Sequence, residues 1–168
     1  ALYFFLRGTP FIYQGQEIGM ENYPFADITE IRDPFAISRY EQEAEQGKDV
    51  EADMDYFRQR GRDNARIPMQ WDASVYAGFS KVKPWIQVHP DHEKINVETE
   101  QKAERSVLKF YKEMIRLRTK SEFHEILTFG DFRAVQTAED TFFCYDRVLD
   151  NKTLRVMINL CGQSVEIP

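Results

Sequence analysis

The sequence predicts an α/β segment followed by an all-β one. Three observations carry that reading. Phe11-Ile12-Tyr13 is a short apolar run without alternation, the pattern of a strand covered on both faces. Helix signals then fall between Asp33 and Gln59 and again between Glu98 and Lys120. Beyond Glu122 the pattern changes to β-rich runs separated by turn residues. The boundary near Glu122 divides the chain into residues 1–122 and 123–168.

The elements follow in order. Ala1 to Arg7 is helix-like, and Gly8-Thr9-Pro10 interrupts it before the apolar run. Gly15 and Gly19 bracket Gln16-Glu17-Ile18, so that run ends in a loop. Asp33-Pro34 opens a helix, with Asp33 as N-cap and Pro34 at the first helical position. Tyr40 to Gln46 continues it, and Gly47 ends it. A second short helix covers Val50 to Gln59. From Ile67 to His92 no period holds, because Pro68, Gly78, Pro84 and Pro90 break it. This long loop carries Trp71, Tyr76, Phe79 and Trp85, and loops of such length in compact domains are usually functional. The clearest helix lies between Glu98 and Lys120. Its stripe of Val107, Phe110, Tyr111, Met114, Leu117 and Arg118, with Ile115 beside it, is predicted to be core. Strands are expected at Gly130-Asp131-Phe132, Thr141 to Tyr145 and Leu154 to Leu160. Asp150-Asn151-Lys152 makes the hairpin turn between the last two. The chain opens in mid-element and closes on Pro168 after a strand-like run, which predicts a fragment.

Composition narrows the function. With 168 residues and a net charge of −6, the chain gains no support for nucleic-acid or anionic-membrane binding. The acids between Glu41 and Asp55 are expected to form a solvated helical stretch. No apolar run approaches the roughly 20 residues of a membrane span, and no secretion signal opens the chain. Cys144 and Cys161 fall in strand-like segments. Reduced thiols in a cytoplasmic setting are the simpler reading, with pairing across strands left open.

Elimination leaves one motif. His89, His92 and His124 are scattered, lack the spacing of a zinc site, and are expected at the surface; no metal or cofactor is predicted. There is no glycine-rich phosphate loop, Gly-x-Ser-x-Gly or Cys-x-x-Cys. No carboxylate pair for glycoside hydrolysis stands out from spacing. What remains is Gly61-Arg62-Asp63-Asn64-Ala65-Arg66-Ile67-Pro68-Met69-Gln70-Trp71-Asp72. It reads either as an Arg–Asp network that pins a loop or as a sugar-binding stretch. An arginine fork suits two sugar hydroxyls as well as a carboxylate, and Trp71 is available to pack on substrate or on neighbouring structure.

That motif resembles the α-glucosidases of the α-amylase superfamily, glycoside hydrolase family 13. Gly8 to Met20 resembles the eighth barrel strand and its loop in the oligo-1,6-glucosidase and trehalose-6-phosphate hydrolase subfamily. Arg62 to Asp72 is similar to that subfamily's hallmark. Ala77-Gly78-Phe79, Lys83 to Val88 and Ile95-Asn96-Val97 follow in the expected order. Ile115 to Arg118 resembles the end of the last barrel helix, and the later strands resemble the start of the family's β-sandwich.

The resemblance implies the C-terminal part of a (β/α)8 TIM barrel over residues 1–122, then the start of an antiparallel β-sandwich over 123–168. It implies an exo-acting retaining hydrolase of short oligosaccharides, isomaltose-type or trehalose 6-phosphate, whose catalytic acids lie upstream. No catalytic residue is therefore assigned, and the isolated chain is expected to be inactive. Arg62 is implied to hold the non-reducing-end glucose and Arg66 to lie nearer the leaving group; Glu17 is implied to be structural or to stand behind the residues that touch substrate. Ile67 replaces the family's usual Thr, removing a hydroxyl while leaving the arginines in place. The small oligosaccharide is the expected partner, without nucleic acid or membrane. Two other readings stand: the non-catalytic glucosidase-like ectodomain of an amino-acid transporter heavy chain, and a free-standing sugar-binding module. Linkage preference is not legible, since nothing places Lys81, Lys83 or Arg60 at a phosphate.

Overall fold

The computed structural model describes residues 3–136 and 142–164. It divides into two compact units, Tyr13–Lys109 and a second formed by Ala1–Ile12 with Phe110–Pro168. These units do not test the expected boundary near Glu122.

The unit Tyr13–Lys109 is built around two helices. Helix α1 spans Pro34–Glu45, and the Asp33 side chain accepts from the Phe35 N–H as its N-cap. Gly47, at φ 68°, ends it: Gly47 N–H bonds to Ala44 O and Lys48 N–H to Glu43 O, both at 3.0 Å. That pair of bonds is the Schellman arrangement, which a left-handed residue permits. Helix α2 spans Val50–Arg60 and is capped by Asp49. Glu51 and Asp53 sit in its first turn and Arg58 and Arg60 in its last, the charge order that the helix dipole favours. The acids of this stretch are exposed as expected except for half-buried Glu43 and for Asp53, which is buried against Arg39 at 2.5 Å. Tyr23, Phe25, Ile31, Ala36, Met54, Phe57, Ile67 and Ile86 form the core between these helices and the flanking loops. Ile67 therefore has a packing role where a hydroxyl would need a partner.

The loop from Ile67 to His92 is irregular as expected, with short 3₁₀ turns at Val75–Gly78 and Pro90–Glu93. Buried Gln70 donates from Nε2 to Asp91 Oδ1 at 2.9 Å and to Ile95 O at 2.5 Å. Val97 N–H returns to Gln70 O at 2.9 Å. His89 is buried, not at the surface, with Nε2 at 3.0 Å from Asn22 O and its ring edge-on to Tyr23. The expected continuous helix from Glu98 is interrupted. Helix α3 spans Val97–Lys102, and α4 spans Val107–Lys120. The reason is local: Ser106 Oγ accepts from Lys109 N–H, and Glu100 accepts from Leu108 N–H, so a new helix start is capped at Ser106.

The second unit holds most of α4, helix α5 (His124–Phe129) and a sheet of β1 (Asp131–Ala134), β2 (Phe142–Leu149) and β3 (Lys152–Asn159). The order is β1-β2-β3, all antiparallel, with Leu149 opposite Lys152 across a turn in which Asp150 takes φ 51°. The hairpin is thus where the sequence put it; α5 had no signal strong enough to be expected. Phe4, Met114, Ile126, Leu127, Cys144 and Tyr145 are its buried apolar side chains. Arg147 is fully buried and donates to the carbonyls of Phe5 (2.5 Å), Leu127 (2.8 Å) and Gly130 (2.6 Å). Arg118 does the same for Phe4, Leu6 and Gly8. Both cysteines are free thiols.

Three further expectations are corrected. Residues 3–8 form turns and bends rather than a helix; residues 1 and 2 lie outside the described residues. Phe11-Ile12-Tyr13 carries no strand, and Phe11 is 84% exposed. A parallel strand needs neighbours to complete its ladder, and the described residues hold only the antiparallel sheet. Of the α4 stripe only Met114 and Arg118 are buried, while Val107, Phe110 and Ile115 are exposed. The periodicity marks an apolar face, which this chain covers in part. The expected strand start at Thr141 lies outside the described residues. No helix among them is long and apolar enough to cross a membrane.

Candidate functional site

The motif after Gly61 folds as a single 3₁₀ turn, Arg62–Arg66. Gly61 is required there: a Cβ would lie 2.5 Å from the Phe57 carbonyl oxygen. Ile67 is extended, at ψ 146°, as a residue before proline prefers. Asn64 holds the turn against α2. Its Nδ2 donates to the Phe57 and Arg58 carbonyls at 3.1 and 3.0 Å, and its Oδ1 accepts from Tyr23 N–H at 3.0 Å. These are last-turn carbonyls of α2, and each takes a second donor: Phe57 O from Gly61 N–H at 2.9 Å and Arg58 O from Asn22 Nδ2 at 3.1 Å. Tyr13 donates its hydroxyl to Ala65 O at 2.7 Å.

The two arginines point to two buried carboxylates. Arg62 Nε donates to Asp33 Oδ2 at 2.8 Å and Nη2 to Asp33 Oδ1 at 2.6 Å, a bidentate pair. Asp33's side chain is 5% exposed and that of Arg62 60%. Both hydrogens on Nη1 and one on Nη2 stay outside the pair. The fork also lies over Phe35, 5.7 Å from the ring centroid. Arg66 Nη1 reaches Asp63 Oδ1 at 3.0 Å. Asp63 Oδ2 accepts the backbone N–H groups of Arg32 (2.6 Å) and Asp33 (2.9 Å). One buried carboxylate therefore holds Arg66 directly and Arg62 through the backbone of Asp33. The Arg62 hydrogen bonds hold Asp33 below the usual carboxylate range, and the same bonds raise Arg62.

Arg62, Asp33, Phe35, Tyr56 and Gly61 border an open groove of about 300 Å³. Lys83 lines a different groove, with Tyr76 and His92. Trp71 is half exposed, and its backbone is pinned to Ala77 and Glu98. No group of three or more His, Cys, Asp or Glu residues is placed to hold a metal among the described residues. Sequence reading singled out Arg62 and Arg66 but missed the site roles of Asp33 and Asp63. The Asp33-Pro34 dipeptide announced only a helix start, and no local pattern joins residues 29 apart in sequence.

Residues 1–128 match the catalytic-domain family described as alpha amylase. The chain belongs to the α-amylase family. Oligo-1,6-glucosidase from Parageobacillus thermoglucosidasius is 39% identical over 92% of this chain and 27% of its own length. Trehalose-6-phosphate hydrolase from Escherichia coli is 36% identical over 92% of the chain and 28% of its own. Among solved structures, isomaltulose synthase from Klebsiella sp. LX3 superposes with a TM-score of 0.86 at 36% identity. The match covers 95% of this chain and 28% of that one. Within the α-amylase family its relatives are glycosidases, and the chain spans less than a third of the length of those it matches.

Proposed function

We propose that this chain is the C-terminal portion of a (β/α)8 catalytic barrel (residues 1–122) with the start of a β-sandwich (123–168). The parent is an exo-acting, retaining α-glucosidase of short oligosaccharides working in the cytoplasm. Arg62 holds the non-reducing-end glucose, and Arg66 contributes toward the leaving-group side. One observation carries this reading: Arg62 is clamped edge-on by a buried carboxylate, keeps three N–H hydrogens outside that pair and lines an open groove. An arginine fixed in this way presents donors to hydroxyls without the entropy cost of ordering a free side chain. The free thiols agree with a reducing compartment.

The test is steady-state hydrolysis by the full-length parent of isomaltose, trehalose 6-phosphate and sucrose. Turnover of any one that falls at least about tenfold in Arg62→Ala supports the reading. A folded parent silent on all three overturns it and favours a non-catalytic, transporter-type relative. The isolated chain is expected to release no glucose from isomaltose.

A further inference from the structure

We propose that Asp33 is the positioning residue for Arg62, setting the direction in which that arginine presents its donors to substrate. The inference rests on the substrate-binding reading above and adds a residue to it. Asp33 does three things at once. Its Oδ1 caps α1 through Phe35 N–H at 3.2 Å. Both its oxygens grip the Arg62 fork. Its own backbone N–H is held by Asp63 at 2.9 Å. The carboxylate thus cannot rotate without breaking a helix cap, and the guanidinium cannot rotate without leaving the carboxylate. Phe35 supports the fork's face from the first turn of α1. A long, mostly exposed arginine otherwise samples many rotamers, so the clamp converts a mobile cation into a fixed one. Positional errors of about 1 Å in such a group can cost about 100-fold in rate.

A double-mutant cycle in the full-length parent tests this, using Asp33→Asn, Arg62→Ala and the pair, with isomaltose and trehalose 6-phosphate as substrates. Asn keeps the N-cap but offers the fork one acceptor and an opposing NH₂. Asp33→Ser, which also caps, is the second variant should the first fold poorly. The expected result is that Asp33→Asn lowers kcat/KM about tenfold or more, divided between kcat and KM as in Arg62→Ala. The pair is then no worse than Arg62→Ala alone, because the two act as one unit. Asp33→Glu is expected to recover part of the loss. If the losses multiply, or if Asp33→Asn matches wild type while Arg62→Ala is impaired, Asp33 is only a helix cap and the positioning role is overturned. If Arg62→Ala itself matches wild type, the substrate-binding reading fails and takes this inference with it.

Discussion

Asp63 accepts the backbone N–H of Asp33 at 2.9 Å, so one carboxylate in the motif fixes the residue that grips the motif's first arginine. The same carboxylate holds Arg32 N–H and Arg66 Nη1. It is 2% exposed, and its hydrogen bonds replace the water it gave up.

Removing that carboxylate takes the acceptor from the buried Asp33 amide and the part-buried Arg32 amide, while Arg66, 39% exposed, turns to water. Asp63→Ala is expected to destabilise the parent by about 2 kcal/mol, the cost of the unpaired amides. A shifted urea midpoint at unchanged slope checks it. A loss under about 1 kcal/mol would show that water replaces the carboxylate cheaply.

Arg147 donates its planar fork to three carbonyls in the second unit. Burial pushes its pKa down, and an ammonium cannot reproduce the fork geometry. Arg147→Lys is expected to cost about 2 kcal/mol or more, because carbonyls of residues 5, 127 and 130 lose partners. Thermal unfolding of the parent and its variant measures this.

Tyr145 is fully buried, and that burial pushes its phenol up from 10.0 to about 12. The unfolded state then loses this proton before the folded state does. Stability from Tyr145 is fully present below pH 10 and is lost as pH rises from there toward 12. Ultraviolet titration of wild type against Tyr145→Phe should show one phenol that ionises only near or above unfolding. A phenol with a midpoint of 10 in the folded protein contradicts this.

Gly78 follows Tyr76 and Ala77 in a left-handed run, at φ 63°, 55° and 64° in chain order. A Cβ on Gly78 would meet the Asp72 carboxylate, which accepts from Ser74 N–H at 2.8 Å. Gly78→Ala is expected to cost about 2 kcal/mol from the positive φ and the displaced carboxylate together. Proteolysis near residue 78 should rise in proportion. Wild-type protection in the variant would show that the turn relaxes freely.

Much of the local structure was legible. Asp33-Pro34 and Gly47 delimit α1 because capping and left-handed conformations are properties of a few adjacent residues. The Asp150 turn registers β2 on β3 for the same reason. The break at Ser106 was missed because periodicity continued through it, and only the hydroxyl's bond to Lys109 N–H reveals a new helix start. His89 was expected at the surface, yet partners more than sixty residues away in sequence, Asn22 and Tyr23, bury it.

The sequence by itself determined the limits of α1, the β2–β3 hairpin turn and the family motif with its two arginines. Those depend on backbone conformations and side-chain chemistry within a few residues. Tertiary structure alone decided that Asp33, 29 residues before Arg62, is its clamp. It also decided that the apolar run at Phe11 makes no ladder here. A hydrogen bond or strand pair needs a partner at a fixed distance, and chain folding brings that partner or withholds it.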